Sequence, residues 1–229
     1  MQLNKKHFSD LVFFLIATGE LCSHIFDSHL LHLVFKPLLM IWLSVYFYLS
    51  AKNDYTLFAK FIQAGFFFSW LGDVFLMFDD GTPFFFILGL SAFLITHIFY
   101  ILGYINSVKG KEPFLKKNWL WIIPFAIIGI GNFIMLFPKL GLLSVPVSIY
   151  TLAILTMVLT ALNRKETVSK ESFWMVFGGA VLFLISDSTI SFNKFTMPVP
   201  YAEMIIMTTY ISAQYLIMRG SLSAVNCKD

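Results

Sequence analysis

Apolar residues run in stretches of about twenty along this chain, and short polar or helix-breaking segments separate them. Stretches near 8–26, 30–50, 57–78, 84–106, 119–137, 140–162, 173–192 and 197–218 each match the ~20 residues that a helix needs to cross a bilayer. The breaks fall at Asp27-Ser28-His29, Lys52-Asn53-Asp54, Asp79 to Pro83, Ser107 to Asn118, Phe137-Pro138-Lys139, Asn163 to Ser172, and Asn193 to Pro198. The break around Pro138 carries the weakest polar signal. Strands are excluded, because each stretch far exceeds strand length and an open sheet leaves backbone groups unsatisfied in lipid. The pattern predicts an all-α, polytopic bundle of eight transmembrane helices forming one domain over residues 1–229.

Composition agrees. Apolar residues make up 58% of the chain and charged residues 13%, where a soluble domain carries about 25% charge. Lysine and arginine are distributed by topology. Lys5, Lys6, Lys52, Lys60, Lys109, Lys111, Lys116, Lys117, Arg164, Lys165, Lys170, Arg219 and Lys228 fall on one side of the predicted membrane, and only Lys139 and Lys194 on the other. The positive-inside rule then predicts that both termini are cytoplasmic, in the inner membrane if the cell is bacterial. The net charge of +3 therefore implies no nucleic-acid partner. Cys22 and Cys227 stand far apart, in no metal-type spacing, and read as unpaired thiols. The first apolar stretch lacks a small-residue cleavage site and reads as a retained anchor rather than a signal peptide.

Two carboxylates interrupt this apolar background. Asp73 lies within Phe68-Ser69-Trp70-Leu71-Gly72-Asp73-Val74-Phe75-Leu76-Met77-Phe78, and Asp187 within Phe183-Leu184-Ile185-Ser186-Asp187-Ser188-Thr189-Ile190-Ser191-Phe192. A small residue precedes each, and a phenylalanine follows five positions later. A carboxylate in hydrocarbon costs about 3 kcal/mol even on lenient insertion scales, so two in matching surroundings point to a shared site. The match suggests parallel repeats, 1–106 and 119–218, related by an axis along the membrane normal.

Given the topology, Glu20, Lys36, Asp73, Asp187 and Glu203 all fall within about 10 Å of the outer boundary at 1.5 Å per residue. His97 and Tyr150 lie deeper. Glu203, Met207, Tyr210 and Gln214, at spacings of four, three and four, draw a stripe directed at the bundle interior. These residues predict a polar chamber opening outward. Plainer readings stand beside it: Glu20 and Glu203 snorkelling to the interface, Lys36 only neutralising a carboxylate, and His97 a hydrogen-bonded structural residue. His24, His29 and His32 read as solvated loop histidines, since their spacing is not a chelating pair backed by a carboxylate. No metal site is expected from them.

Several of these segments together resemble the YhhN-like family, which includes the animal lysoplasmalogenases. They are Lys36-Pro37, Gly72-Asp73-Val74-Phe75-Leu76-Met77, the run from Gly89 to Tyr100, and the run from Gly179 to Asp187, with Pro146 before Tyr150 and Tyr210 before Gln214. The resemblance spans nearly the whole chain in order. Ile190-Ser191 departs from the Leu-Ala that usually continues the second motif, and head-group preference does not carry over. The resemblance implies hydrolysis of the vinyl-ether bond of lysoplasmalogens, hence a lysophospholipid partner. That chemistry needs a protonated acid to protonate carbon and a carboxylate to stabilise the resulting cation. Asp73 and Asp187 would be that pair, retaining one proton between them. Lys36, His97, Tyr150, Glu203, Tyr210, Gln214 and Glu20 would support the pair or the substrate, with no metal or cofactor. A proton- or cation-coupled transporter of a lipid or small molecule is the alternative reading.

Overall fold

The structure, a computed structural model, describes residues 2–79 and 83–226, with side chains from 7 to 79 and from 84 to 226. The expected loop residues Asp80 to Thr82, together with Cys227 and Lys228, lie outside the described residues, as do the side chains of Lys5 and Lys6. Among the described residues every regular element is helical. The long helices are α1 (Gln2–Ile25), α2 (His29–Ala51), α3 (Leu57–Met77), α4 (Pro83–Ser107), α6 (Ile122–Leu140), α7 (Ser144–Leu162), α8 (Lys170–Phe195) and α9 (Ala202–Asn226), with a single turn α5 (Phe114–Lys117) between α4 and α6.

Each apolar stretch becomes one long helix, with three differences. The sixth helix runs through Pro138 and stops at Leu140, because Gly141 adopts φ 52, which ends a right-handed helix at little cost. The chain therefore turns at Gly141–Leu143 rather than at Phe137-Pro138-Lys139. The last helix starts at Ala202 instead of 197, since Pro198 and Pro200 disfavour helical backbone in the residues before them. It also continues past Arg219, whose guanidinium approaches Asp10 on α1 at 3.6 Å. Arg164, expected in a solvated basic loop, is instead fully buried. Its Nε donates to Ser107 Oγ at 3.0 Å and Nη2 to Ser172 Oγ at 2.8 Å, and the group stacks over Phe58 and Tyr104. Hydroxyls and aromatic faces there replace water around the cation.

The surface is that of an integral membrane protein. Five stretches of described residues are long and apolar enough by themselves to cross a bilayer: His7–Ile25, His29–Asp54, Phe84–Ser107, Trp119–Leu162 and Lys170–Phe195. The 44-residue stretch is the α6–α7 hairpin. Along α6, Ile123, Ile127, Ile130, Ile134 and Phe137 all face outward at helical spacing, as a lipid-facing stripe requires. Helices α3 and α9 are not among the five; they carry polar side chains that other helices cover.

Two antiparallel pairs, α3–α4 and α8–α9, pack most closely, and small residues make that possible. On α3, Gly65 lies against the Tyr100 ring and Gly72 against the Phe93 ring of α4. Gly179 of α8 faces the Ala213 carbonyl of α9, and Gly220 of α9 faces the backbone of Val176. Contacts of α4 with α7 and of α2 with α9 close the bundle. The main core runs through it, built on Phe47, Phe66, Tyr100, Met157, Phe183 and Ile217, with smaller clusters around Phe173 and Leu136.

Candidate active site

Asp187 sits on α8 about two turns before its C-terminal end, and helices α4 and α7 bring it two partners. Tyr150 Oη donates a short hydrogen bond to Asp187 Oδ2, and His97 Nε2 lies 3.2 Å from the same oxygen and 3.0 Å from Tyr150 Oη. All three residues are buried, His97 completely. The position of Asp187 is the outcome of two helical faces meeting. Tyr150 lies on the buried face of α7 with Val147 and Ile154, and His97 lies on the face of α4 shared with Phe93, Tyr100 and Tyr104. The His97 ring also packs edge-on to Phe183, one turn before Asp187. A cleft of about 420 Å³, counting space open to solvent, reaches this group. Its walls are almost wholly apolar: Leu76, Phe86, Leu90, Phe93 and Val147, with Ile190 and Phe195 beyond. Asp187, Tyr150 and Ser191 are its polar lining.

Asp73 lies in a second network built by α3, α9 and α4. Tyr210 Oη donates to Asp73 Oδ2 at 2.6 Å, Gln214 Nε2 donates to Ser69 Oγ at 2.7 Å, and Tyr100 Oη donates to Gln214 Oε1 at 2.7 Å. Asp73, Ser69, Tyr100 and Gln214 are all shielded from solvent. Spacing explains the cluster: Ser69 and Asp73 are one turn apart on α3, and Tyr210 and Gln214 are one turn apart on α9. The rings of Phe93 and Phe183 both stand edge-on to Tyr210, and Phe183 also meets His97, so it touches a partner of each aspartate. Among neighbouring charges Lys36 acts on Asp73 most, ahead of Glu20 and, last, Asp187. Asp73 does not line the cleft.

The third group lies at the α1–α2 connection. Glu20 is fully buried, not snorkelling, and its Oε1 lies 2.8 Å from His32 Nδ1 and 3.3 Å from His24 Nε2. Glu203, expected on the inward stripe of the last helix, is exposed at the rim and holds His24 Nδ1 at 3.0 Å. Met207, Tyr210 and Gln214 of that stripe are buried. The reading of the histidines as solvated loop residues is thus corrected for His24 and His32, which close over a buried carboxylate; His29 is exposed as expected. The reason lies in the sharp turn at Asp27, φ 49, which folds α2 back so that His32 meets the last full turn of α1. Lys36, half-buried one turn further along α2, is within charge range of Glu20 as well as Asp73.

The predicted residues therefore come together in three neighbouring groups rather than one. Ser69, bonded into the Asp73 network, had no signal beyond its place one turn before Asp73. Tyr100 was visible only as a member of the His97 face. A larger cavity, about 1040 Å³ on the same measure, lies at the other end of the bundle among Phe61, Tyr104, Val108, Lys111 and Asn163. It touches neither aspartate.

A sequence profile described as "YhhN family" matches residues 31–221. The chain belongs to the YhhN family. Among relatives of this YhhN protein, human "Lysoplasmalogenase TMEM86A" is 34% identical over 172 residues, covering 73% of this chain and 66% of the human one. The pig "Lysoplasmalogenase TMEM86B" is 33% identical over 132 residues, covering 58% of this chain and 52% of its own. A Mycobacterium bovis "Lysoplasmalogenase" is 28% identical over 137 residues, covering 59% and 50%. The chain thus spans just under two thirds of the human relative's length. No solved structure matches this YhhN chain.

Proposed function

We propose that this chain is a membrane-embedded hydrolase that cleaves the vinyl-ether bond of lysoplasmalogens, or of a closely related enol-ether lysolipid, by acid–base chemistry at Asp187 with Asp73 as its partner. The observation that carries the reading is a carboxyl group bonded to Tyr150, with His97 beside it, at the end of an otherwise apolar cleft. Such a cleft suits an alkenyl chain, with the reacting carbon near the one acidic group. The relatives named lysoplasmalogenase support the same substrate class.

In this mechanism protonated Asp187 transfers its proton to the β-carbon of the vinyl ether. The π electrons form the new C–H bond, and an oxocarbenium ion remains between the ether oxygen and the α-carbon. The Asp187 carboxylate then faces that cation in surroundings of low dielectric, where its stabilisation is far stronger than in water. Water adds to the α-carbon and returns a proton to Asp187. The hemiacetal so formed collapses to a fatty aldehyde and the glycerophospho-alcohol. One water is consumed and the acid is regenerated. Tyr150 and His97 hold the carboxyl in place and orient the entering water.

Asp73 acts through charge. Two buried carboxyls that feel one another resist double ionisation, so the pair keeps one proton available for carbon. Lys36 balances the remaining negative charge or meets the substrate phosphate. Assaying the protein in detergent tests the reading: a 1-alkenyl lysolipid should release aldehyde and its 1-acyl analogue should give none. A proton-coupled carrier has nothing to do without two compartments. Silence in detergent alongside proton-linked uptake into vesicles would therefore transfer the protein to the transporter reading.

A further inference from the structure

The group at the α1–α2 connection has the donors, burial and spacing of a metal site. Glu20 and His24 are one turn apart on α1, which sets both on one face, and His32 comes back to them from α2. One ligand atom from each of the three lies within 4.8 Å of the other two. Glu20 Oε1 is 3.3 Å from His24 Nε2 and 2.8 Å from His32 Nδ1. Around a tetrahedral zinc with bonds of 2.0–2.2 Å, neighbouring donors stand about 3.3 Å apart.

Two further features separate this cluster from an ordinary ion pair. Glu20 is fully buried, yet its Oε2 has no hydrogen-bond partner, and His32 Nδ1, though 2.8 Å from Oε1, also makes no hydrogen bond of acceptable angle. His24 Nε2 does bond Oε1, but a buried carboxylate oxygen and an imidazole nitrogen left without partners beside it are atoms that a shared cation would use. Meanwhile His24 turns its other nitrogen, Nδ1, to the Glu203 carboxylate at 3.0 Å. A carboxylate on the far nitrogen is the usual support of a metal-bound imidazole, because it fixes the tautomer and raises the basicity of the ligating nitrogen.

We propose that Glu20, His24 and His32 bind a divalent transition metal of the zinc class, with Glu203 supporting His24 and a fourth position open to water or an anionic oxygen. Two imidazoles and one carboxylate form a borderline donor set, which favours zinc over magnesium or calcium. The metal ties α1 to α2 and, through Glu203, to the start of α9. This assignment stands apart from the hydrolase reading and is tested without any turnover.

Protein carrying a non-histidine affinity tag is loaded with zinc, passed into metal-free buffer in detergent, and analysed for metal by mass spectrometry. The wild-type chain should retain close to one zinc, and His29→Ala the same. Glu20→Gln and the double variant His24→Ala, His32→Ala should each retain at least tenfold less at an unchanged elution volume. Should those variants fail to fold, the wild-type chain alone decides. Cobalt in place of zinc should give the intense visible absorption of a tetrahedral centre, and zinc should abolish it. No retained zinc and no cobalt spectrum in the wild-type chain, or undiminished zinc in correctly folded variants, would overturn the assignment and leave a pair of histidinium–carboxylate contacts.

Discussion

Asp187 and Asp73 share a side-chain type and a buried setting, but only Asp187 meets the cleft. In the proposed mechanism this difference gives substrate contact to Asp187 and charge control to Asp73. Asp187→Asn keeps the shape and removes the proton, so turnover should fall by about 10²–10⁴, the usual worth of a general acid. Asp73→Asn should fall into the same range, and the double variant should be little worse than either, because members of one catalytic unit are strongly non-additive. Rates of single-turnover aldehyde release check this; a double variant far below two still-active singles would mean independent roles. Tyr150→Phe removes the hydroxyl that Asp187 and His97 share. That bond becomes one to a charged group only as Asp187 gives up its proton. The loss, about 1.5–3 kcal/mol for such a bond, therefore falls in the transition state and predicts a roughly tenfold to hundredfold lower kcat with little change in KM. At this scale the aspartates are legible in the sequence because charge inside an apolar run has no cheap alternative explanation. Tyr210 and Gln214 are legible by their spacing. The pairing of Glu20 with His24 and His32 is not, because the sequence does not reveal that a turn at Asp27 brings His32 over it.

The helices owe their positions to small residues at close crossings. A Cβ on Gly179 would stand 2.8 Å from the Ala213 carbonyl oxygen and 3.1 Å from the Ile217 nitrogen, both fixed parts of α9. Gly179→Ala should force α8 from α9 and destabilise the fold by about 1–3 kcal/mol, as overpacking does. Gly131 on α6 has open space beside it, so Gly131→Ala should be neutral or stabilising by up to about 1 kcal/mol through helix propensity. Thermal unfolding in one detergent compares the two directly. Helix number and approximate extent are legible from hydropathy alone, since lipid demands the same length of every span. The ends are less so. Pro138 removes only its own hydrogen bond to the Ile134 carbonyl and α6 runs on to Leu140, whereas the positive φ at Gly141 is decisive and invisible in composition.

At the scale of the whole molecule, the α1–α2, α3–α4, α6–α7 and α8–α9 connections share one end of the bundle, and so do the cleft and the Glu20 group. Contacts between those ends agree: Lys194 Nζ donates to Asp79 at 2.6 Å, and His24 meets Glu203. We propose that this end faces outward and that both termini are cytoplasmic. Reporters fused at either terminus should read cytoplasm, and one in the Asp79–Pro83 connection should read outside; opposite results at the two termini would overturn the even topology. The repeat proposal gains support from pairing. The intimate α3–α4 and α8–α9 pairs carry one aspartate each, and the Tyr100–Gln214 hydrogen bond joins α4 to α9. In sequence the proposed likeness is clearest around the aspartates and extends only weakly to the helices ending in Tyr100 and Tyr210, because elsewhere each half answers to lipid, which accepts any large apolar side chain.

Carbon protonation by Asp187 is the central claim, and it leaves a mark on the product. If a 1-alkenyl lysolipid is turned over in heavy water and the aldehyde is trapped at once by reduction, the proton added to the β-carbon comes from solvent. Mass spectrometry should then find one deuterium on the carbon next to the former carbonyl, formed at a rate that Asp187→Asn lowers by about 10²–10⁴. An aldehyde free of deuterium at that carbon, or one formed as fast by Asp187→Asn, would contradict the account.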